Sequence, residues 1–189
     1  MQCWISSGLP RQHQNKLMQS NFLHAKKALL FNFTASSYHW GCYGTSIELY
    51  QSLLEKNYYV EVFTVHYTHS VSPTPDKISD FDDKKFFDTF CAANGALVQS
   101  IDQSDVVISN GEGTLHRLGK APINLLYLMY ISKKYFGKKV HLVNFSCFPN
   151  GDEFYAKNSY CLYMGVLRYL DVIRPRELYT NNILAGNGI

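Results

Sequence analysis

The chain of 189 residues contains no apolar run near the roughly 18 residues that a membrane-spanning helix needs. Charged residues make up only 17%, and 18 lysines and arginines against 15 aspartates and glutamates leave a net charge of +3. Because no basic run accompanies this surplus, the sequence predicts no nucleic-acid partner. Hydrophobic residues make up 46% and aromatic residues 15%, which excludes a disordered chain. What remains is a domain with one apolar core.

The sequence also lacks a Cys-x-x-Cys pair. Its five cysteines are widely spaced: Cys3, Cys42, Cys91, Cys147 and Cys161. Their odd number and spacing favour reduced thiols over a disulfide framework or a zinc knuckle. The first 27 residues lack the apolar segment of a secretory signal. We therefore expect a cytoplasmic protein, with a polar, loosely structured tail at 1–22 and one domain at 23–189.

Short apolar runs alternate with longer amphipathic segments along the chain. Strands are predicted at 28–33, 59–65, 105–109, 140–145 and 171–173, and helices at 45–56, 81–99, 122–136, 155–169 and 177–184. Thr45 and Glu48 have the spacing of a capping box, which predicts that the first helix begins there. Loops are predicted at 34–43, 66–79 and 110–120. This alternation predicts an α/β fold, a Rossmann-like parallel sheet with helices on both faces.

Ligands of such sheets bind beyond the carboxyl ends of the strands, so the segments after the strands are the candidates for chemistry. The segment after the first strand carries five candidates: His39, Gly41, Cys42, Gly44 and Thr45. A helix start binds phosphate or carboxylate through its backbone N–H groups. An anion site and a plain glycine turn are equally open here. The histidine and the cysteine are an acid and a nucleophile by type, although a packed histidine is the commoner arrangement.

Both the G-x-G-x-x-G pattern and the P-loop lysine are missing from this segment. The sequence therefore predicts no nucleotide cofactor. It also contains no spacing of histidine, cysteine and acidic residues that indicates a metal site.

The segment after the third strand, 110–117, is the most informative and reads Asn-Gly-Glu-Gly-Thr-Leu-His-Arg. Glu112 can accept a proton or a sugar hydroxyl. His116 titrates near neutral pH and can donate a proton. Arg117 can hold a carboxylate or phosphate with its planar fork. A functional role has a modest advantage here over a glycine-rich turn with stray charges.

Three other polar features follow predicted strands. After the fourth strand, Ser146 and Asn150 could line the same crevice, but a plain turn is favoured. Arg176, after the fifth strand, either binds an anion or pairs with a neighbouring acid. The triplets 32–34 and 144–146 match Asn-x-Ser/Thr, but they lie at strand ends in a chain without a signal, so we interpret them as chance matches to a glycosylation motif.

Three segments together resemble the polysaccharide pyruvyl transferase family: FNFTASSYHWGCYGTSIEL at 31–49, DVVISNGEGTLH at 105–116, and RPRELYTNNILAGNGI at 174–189. Their order also matches that of the family, and together they extend over nearly all of the chain beyond the tail. The Asn-Gly-Glu-Gly-Thr-Leu-His form is the most specific of the three.

The resemblance implies two Rossmann-like halves, similar to GT-B glycosyltransferases, with the active site between them. It implies transfer of a pyruvyl group from phosphoenolpyruvate to a sugar of a surface polysaccharide or its precursor. That chemistry needs an acid for the enol carbon and cationic groups for carboxylate and phosphate. The candidate catalytic residues are Glu112, His116 and Arg117. The candidate substrate- and anion-binding residues are His39, Gly41, Cys42, Gly44, Thr45, Asn110, Gly111, Gly113, Thr114 and Arg176.

Family members are usually about twice as long as this chain, so we interpret it as an N-terminal half whose isolated activity is in doubt. Its expected partner is a C-terminal half or a second copy of the chain. Two other functions remain open. One is a glycosyltransferase half-domain that uses a nucleotide sugar, and the other is a non-catalytic module that binds a sugar or an anion.

Overall fold

The structure, a computed structural model, describes residues 26–35, 39–116, 118–147 and 157–189. Five parallel strands form one sheet in the order β2-β1-β3-β4-β5. The strands are β1 Lys26–Phe33, β2 Tyr58–Thr64, β3 Val106–Glu112, β4 Lys139–Phe145 and β5 Val172–Pro175. The described helices are α1 Trp40–Glu55, α2 Val65–Ser70, α3 Lys84–Ala93, α4 Gly95–Asp102, α5 Lys120–Lys134, α6 Lys157–Tyr169 and α7 Leu178–Gly186, with a 3-10 turn at Ile78–Phe81. The predicted tail at 1–22 lies outside the described residues.

Alternate residues of the central strands enter two separate cores. In β1, Leu29 and Phe31 belong to the larger core, whereas Ala28 and Leu30 belong to the smaller one. Successive side chains of a strand point to opposite faces, so the two cores lie on opposite faces of the sheet. Leu53 of α1 packs in the smaller core, and α5 and α6 supply much of the larger one. Helices therefore cover both faces, and the predicted Rossmann-like α/β fold is confirmed.

Three neighbouring strands carry a residue with positive φ near their carboxyl ends. The φ angles are 59° at Asn32 in β1, 45° at Glu112 in β3 and 50° at Asn144 in β4. Asparagine enters this left-handed region fairly readily, whereas such a conformation is uncommon for glutamate. The sheet order reverses between β1 and β3, which is the switch point where ligands bind in doubly wound sheets. Residues with positive φ thus lie at the carboxyl edge of the sheet, where a ligand site is expected.

The start of α1 differs from the prediction. The helix begins at Trp40, with His39 as its N-cap, instead of at Thr45. The Thr45 hydroxyl lies 3.0 Å from the carbonyl oxygen of Gly41, inside the helix, so the predicted capping box with Glu48 is wrong. The segment predicted to be a loop before the helix is therefore partly its first turn.

Other helix and strand boundaries also differ from the predicted ones. The end of the strand predicted at 59–65 and the start of the loop predicted at 66–79 form α2, Val65–Ser70, where Thr64 accepts a hydrogen bond from the backbone N–H of Tyr67 at 3.3 Å. The helix predicted at 81–99 is divided at Asn94, which is the C-cap of α3 and the N-cap of α4. Strand β3 continues to Glu112, into the loop predicted at 110–120.

Candidate functional site

Glu112 is the centre of a buried polar cluster at the switch point. It is only 5% exposed. Its Oε1 lies against the hydroxyl of Thr45, 3.5 Å from the hydroxyl of Thr34 and 3.4 Å from Nδ2 of Asn110. Three potential donors from three different elements thus surround this one oxygen and fix the orientation of the carboxylate.

The second oxygen of Glu112 has more distant neighbours. Its Oε2 is 3.8 Å from Sγ of Cys42 and 3.5 Å from Nη1 of Arg176. Both distances are at the long end of hydrogen bonding. Oε2 is therefore the oxygen that can accept a further hydrogen bond from a ligand.

Arg176 is held along one edge of its guanidinium group. Its Nε donates to Oγ of Ser146 at 2.7 Å, and the backbone N–H of Ser146 donates to the carbonyl oxygen of Glu112 at 3.0 Å. The arginine side chain is 42% exposed, against 6% for that of Glu112. Nη2 has no hydrogen-bond partner among the described residues. The remaining N–H groups of the planar guanidinium have the geometry that suits a carboxylate or phosphate.

A layer of buried hydroxyl and amide groups supports Glu112 from the α1 side. Ser46 Oγ accepts from the backbone N–H of Thr34 and from Nδ2 of Asn110, both at 3.0 Å, and lies 2.7 Å from the Thr34 hydroxyl. Asn110 and Glu112 lie two residues apart in β3, so they share one face of the sheet. That face is the one that α1 covers, and the alternation of β3 therefore directs Asn110 to Ser46 and Glu112 to Thr45.

Asparagines from three adjacent strands meet beside this layer. Nδ2 of Asn32 donates to the carbonyl oxygen of Asn110 at 2.6 Å and to Oγ1 of Thr114 at 3.0 Å. Nδ2 of Asn144 donates to Oδ1 of Asn110 at 2.8 Å. Oδ1 of Asn32 is buried and has no hydrogen-bond partner among the described residues. The amides join β1, β3 and β4 directly behind the switch point.

His116 is anchored in the turn that follows β3. Its Nδ1 donates to the carbonyl oxygen of Gly113, because a carbonyl can only accept. Nε2 is therefore the ring nitrogen that this contact leaves for a ligand. The side chain is exposed, and its hydrogen bond joins it to the turn instead of to Glu112 or Arg176. Arg117 lies outside the described residues.

The two glycines of this turn have different surroundings. A Cβ atom on Gly111 would lie 2.2 Å from Cβ of Phe145, so only glycine fits between β3 and β4 at this position. A Cβ atom on Gly113 would meet nothing within 4 Å. Gly111 is thus required for the packing of β3 against β4, whereas a side chain at Gly113 would enter open space.

The candidates of the first segment lie on the first turns of α1. His39 is the N-cap, and its ring would be 3.3 Å from a Cβ atom on Gly41. Gly41 and Gly44 are exposed, and a Cβ atom on Gly44 would meet nothing within 4 Å. The opposite side of the same turns, with Cys42 and Thr45, faces Glu112.

The Cys42 thiol does not fit the role of nucleophile. Its burial, and next the negative charge of Glu112, raise the pKa of the thiol, while Arg176 acts in the opposite direction. The thiolate is the reactive form of cysteine. Cys42 therefore keeps its proton at neutral pH, and its Sγ faces Oε2 of Glu112, which disfavours a role as nucleophile.

The structure brings six of the predicted site residues into one cluster: Cys42, Thr45, Asn110, Glu112, Thr114 and Arg176. Ser146, for which a plain turn was favoured, also enters it. Sequence reasoning missed four others: Asn32, Thr34, Ser46 and Asn144. A signal for three of these was present, because 32–34 reads Asn-Phe-Thr and 144–146 reads Asn-Phe-Ser. In both triplets the asparagine has positive φ and the hydroxyl residue enters the cluster. The interpretation of both triplets as chance matches to a glycosylation motif stays a prediction, and in the structure the two triplets share one arrangement.

Comparisons with known proteins find no matching family model, curated protein or solved structure. Within the described ranges, no group of three or more histidine, cysteine and acidic side chains could hold a metal ion. No helix in that part of the chain combines the length and apolarity needed to cross a membrane. Two cavities of about 330 and 430 Å³ are lined by residues outside the Glu112 cluster.

Proposed function

We propose that this chain is the N-terminal half of a polysaccharide pyruvyl transferase-like enzyme and binds phosphoenolpyruvate and a sugar. The observation that carries the proposal is the pairing of Glu112 with Arg176 at the switch point of the sheet. One residue offers an acceptor for a hydroxyl group, and the other offers a fork for an anion, 3.5 Å apart. A hydroxyl group and an anionic group are the two ligand groups that must meet when a sugar hydroxyl attacks phosphoenolpyruvate.

The three segments that resemble the family give further support. Segment 31–49 contributes Thr34 and Thr45 to the cluster, segment 105–116 contributes Glu112, and segment 174–189 contributes Arg176. Segments that are far apart in the chain thus converge on one carboxylate. Such convergence is expected if the likeness concerns a shared site, and chance likeness would not require it.

In the proposed reaction, the methylene carbon of phosphoenolpyruvate gains a proton and the sugar hydroxyl attacks the neighbouring carbon. Glu112 Oε2 takes the proton of that hydroxyl, and Arg176 holds the carboxylate. His116 is our candidate for the acid, acting through Nε2. Phosphate leaves when a second hydroxyl completes the ketal. We place this reaction in the cytoplasm and expect the second half of the enzyme, or a second copy of the chain, to complete the cleft.

Calorimetric titration of the whole chain with phosphoenolpyruvate tests the proposal, and a panel of nucleotide sugars is titrated separately. We expect phosphoenolpyruvate to bind, the Arg176→Met variant to lose that binding, and Arg174→Met to retain it, since Arg174 is an exposed arginine two residues earlier, in β5. The proposal would be contradicted if phosphoenolpyruvate did not bind, or if the Arg176→Met variant bound it as well as the wild type does. Binding of a nucleotide sugar alone would favour the glycosyltransferase.

A further inference from the structure

We infer that Asn144 is a positioning residue for Glu112 and acts through the side-chain amide of Asn110. The inference rests on the proposed role of Glu112 as the acceptor of a ligand hydroxyl. It assigns a function to the second Asn-Phe-Ser/Thr triplet, whose asparagine donates to Asn110 and not to Glu112.

The first step is the orientation of the Asn110 amide. Asn110 is fully buried, and both ends of its amide are engaged. Oδ1 accepts from Nδ2 of Asn144 at 2.8 Å, while Nδ2 donates to Oγ of Ser46 at 3.0 Å and faces Oε1 of Glu112 at 3.4 Å. If the amide were turned over, its NH₂ group would face the NH₂ of Asn144, and its oxygen would face the carboxylate. Both contacts are unfavourable in a buried site, so Asn144 holds the orientation together with Ser46.

The second step is the backbone conformation that brings the side chain of Asn144, in β4, to Asn110 in β3. Its φ of 50° interrupts β4, and the pairing of β4 with β5 shifts register between Val143 and Phe145. In β3, Asn110 is the register partner of Val143. The left-handed residue directly after that partner is thus close enough to donate across the strands. Asn32 repeats the arrangement from β1, where it donates to the backbone carbonyl of Asn110.

The third step is the effect on the carboxylate. Because the Asn110 amide faces Oε1 of Glu112, this oxygen is engaged within the protein, and Oε2 is left for a ligand. A reversed amide would repel Oε1 and change which oxygen is available. Asn144 therefore determines the orientation of the acceptor without touching the ligand.

Carbon-13 and nitrogen-15 NMR of the whole chain tests this inference. The Glu112 carboxyl signal is assigned by its loss in Glu112→Gln, and the Asn110 side-chain amide signal is observed beside it. Asn144→Gly removes the amide but accepts the positive φ. Asn144→Asp keeps the shape and replaces the donor with an acceptor. Asn57→Gly and Asn57→Asp are matched controls, because Asn57 has a φ of 59° and lies exposed between α1 and β2.

We expect both Asn144 variants to shift the Asn110 amide and the Glu112 carboxyl signals, with the larger shifts in Asn144→Asp. Neither Asn57 variant should move them. A Glu112 signal that moves no more in the folded Asn144 variants than in the controls would overturn the inference, and two variants guard against one that fails to fold. The NMR result needs no ligand. A failure of phosphoenolpyruvate to bind would thus contradict the proposed function alone.

Discussion

Glu112 and Arg176 lie 64 residues apart in the chain, yet Oε2 of one is 3.5 Å from Nη1 of the other. The Glu112 side chain is almost fully buried, whereas the Arg176 side chain is 42% exposed. A buried carboxylate loses its hydration and depends on the donors that the protein supplies. The exposed cation, by contrast, can interact with a ligand while its Nε remains bound to Ser146. The pair therefore combines a fixed acceptor with an accessible anion-binding group.

The first prediction concerns this pair. Arg176→Met should lower the free energy of unfolding by about 1 kcal/mol, because Glu112 stays buried without its cation while solvent already screens much of the original interaction. Urea denaturation measures the change. Arg174→Met is the control, since its exposed side chain lies only two residues earlier in the chain, and it should stay within about 0.5 kcal/mol of the wild type. Equal stability of the two variants would show that the pair contributes nothing to the fold.

The second prediction concerns the reactivity of Cys42. Burial and the charge of Glu112 raise the pKa of its thiol, so alkylation by iodoacetamide at neutral pH should be slow. Glu112→Gln removes the negative charge and should lower that pKa, which makes alkylation faster. Mass spectrometry of the Cys42 peptide gives the rate. An unchanged or slower rate in the folded Glu112→Gln variant would contradict the described contact between Sγ and Oε2.

Much of the fold could be predicted because apolar periodicity specifies it locally. The run 28–33 is apolar and short, and it forms β1. The start of α1 could not be predicted in the same way, because Gly41 and Gly44 are poor helix formers and Thr45 resembles a cap. Contacts that are remote in sequence override these local preferences: Cys42, Thr45 and Ser46 all face the cluster around Glu112.

The site was predictable where it depended on topology. Glu112 and Arg176 follow or end strands, and the carboxyl-edge rule found both. Asn32 and Asn144 were missed because a positive φ leaves no trace in hydrophobic periodicity. Only the repetition of asparagine, phenylalanine and a hydroxyl residue at two strand ends indicated them.

The third prediction separates the two glycines beside Glu112. Gly111→Ala should destabilise the chain by about 3 kcal/mol, because the new methyl group would lie 2.2 Å from Cβ of Phe145 and force β3 and β4 apart. Gly113→Ala adds the same methyl group where nothing lies within 4 Å, and should change stability by less than about 1 kcal/mol. Urea denaturation compares them. Similar losses in both variants would contradict the close approach of the two strands.

The last prediction concerns alkaline pH. Cys147 is fully buried, and burial raises the pKa of its thiol from 9.0 to about 12. The folded chain therefore holds this proton more tightly than the unfolded chain. Its contribution to stability is complete below pH 9 and is lost as the pH rises from about 9 to about 12.

Between these limits the loss approaches about 1.4 kcal/mol for each pH unit. Cys147→Ala leaves a cavity, so its free energy of unfolding should be lower than that of the wild type at neutral pH. Because it has no thiol to titrate at this position, its free energy of unfolding should fall less steeply above pH 9. Urea denaturation at several alkaline pH values measures both slopes. Cys161→Ala, which alters an exposed thiol, should keep the wild-type slope. If Cys147→Ala also kept it, the thiol of Cys147 would have to titrate alike in the folded and unfolded chains, contrary to its burial beneath α7.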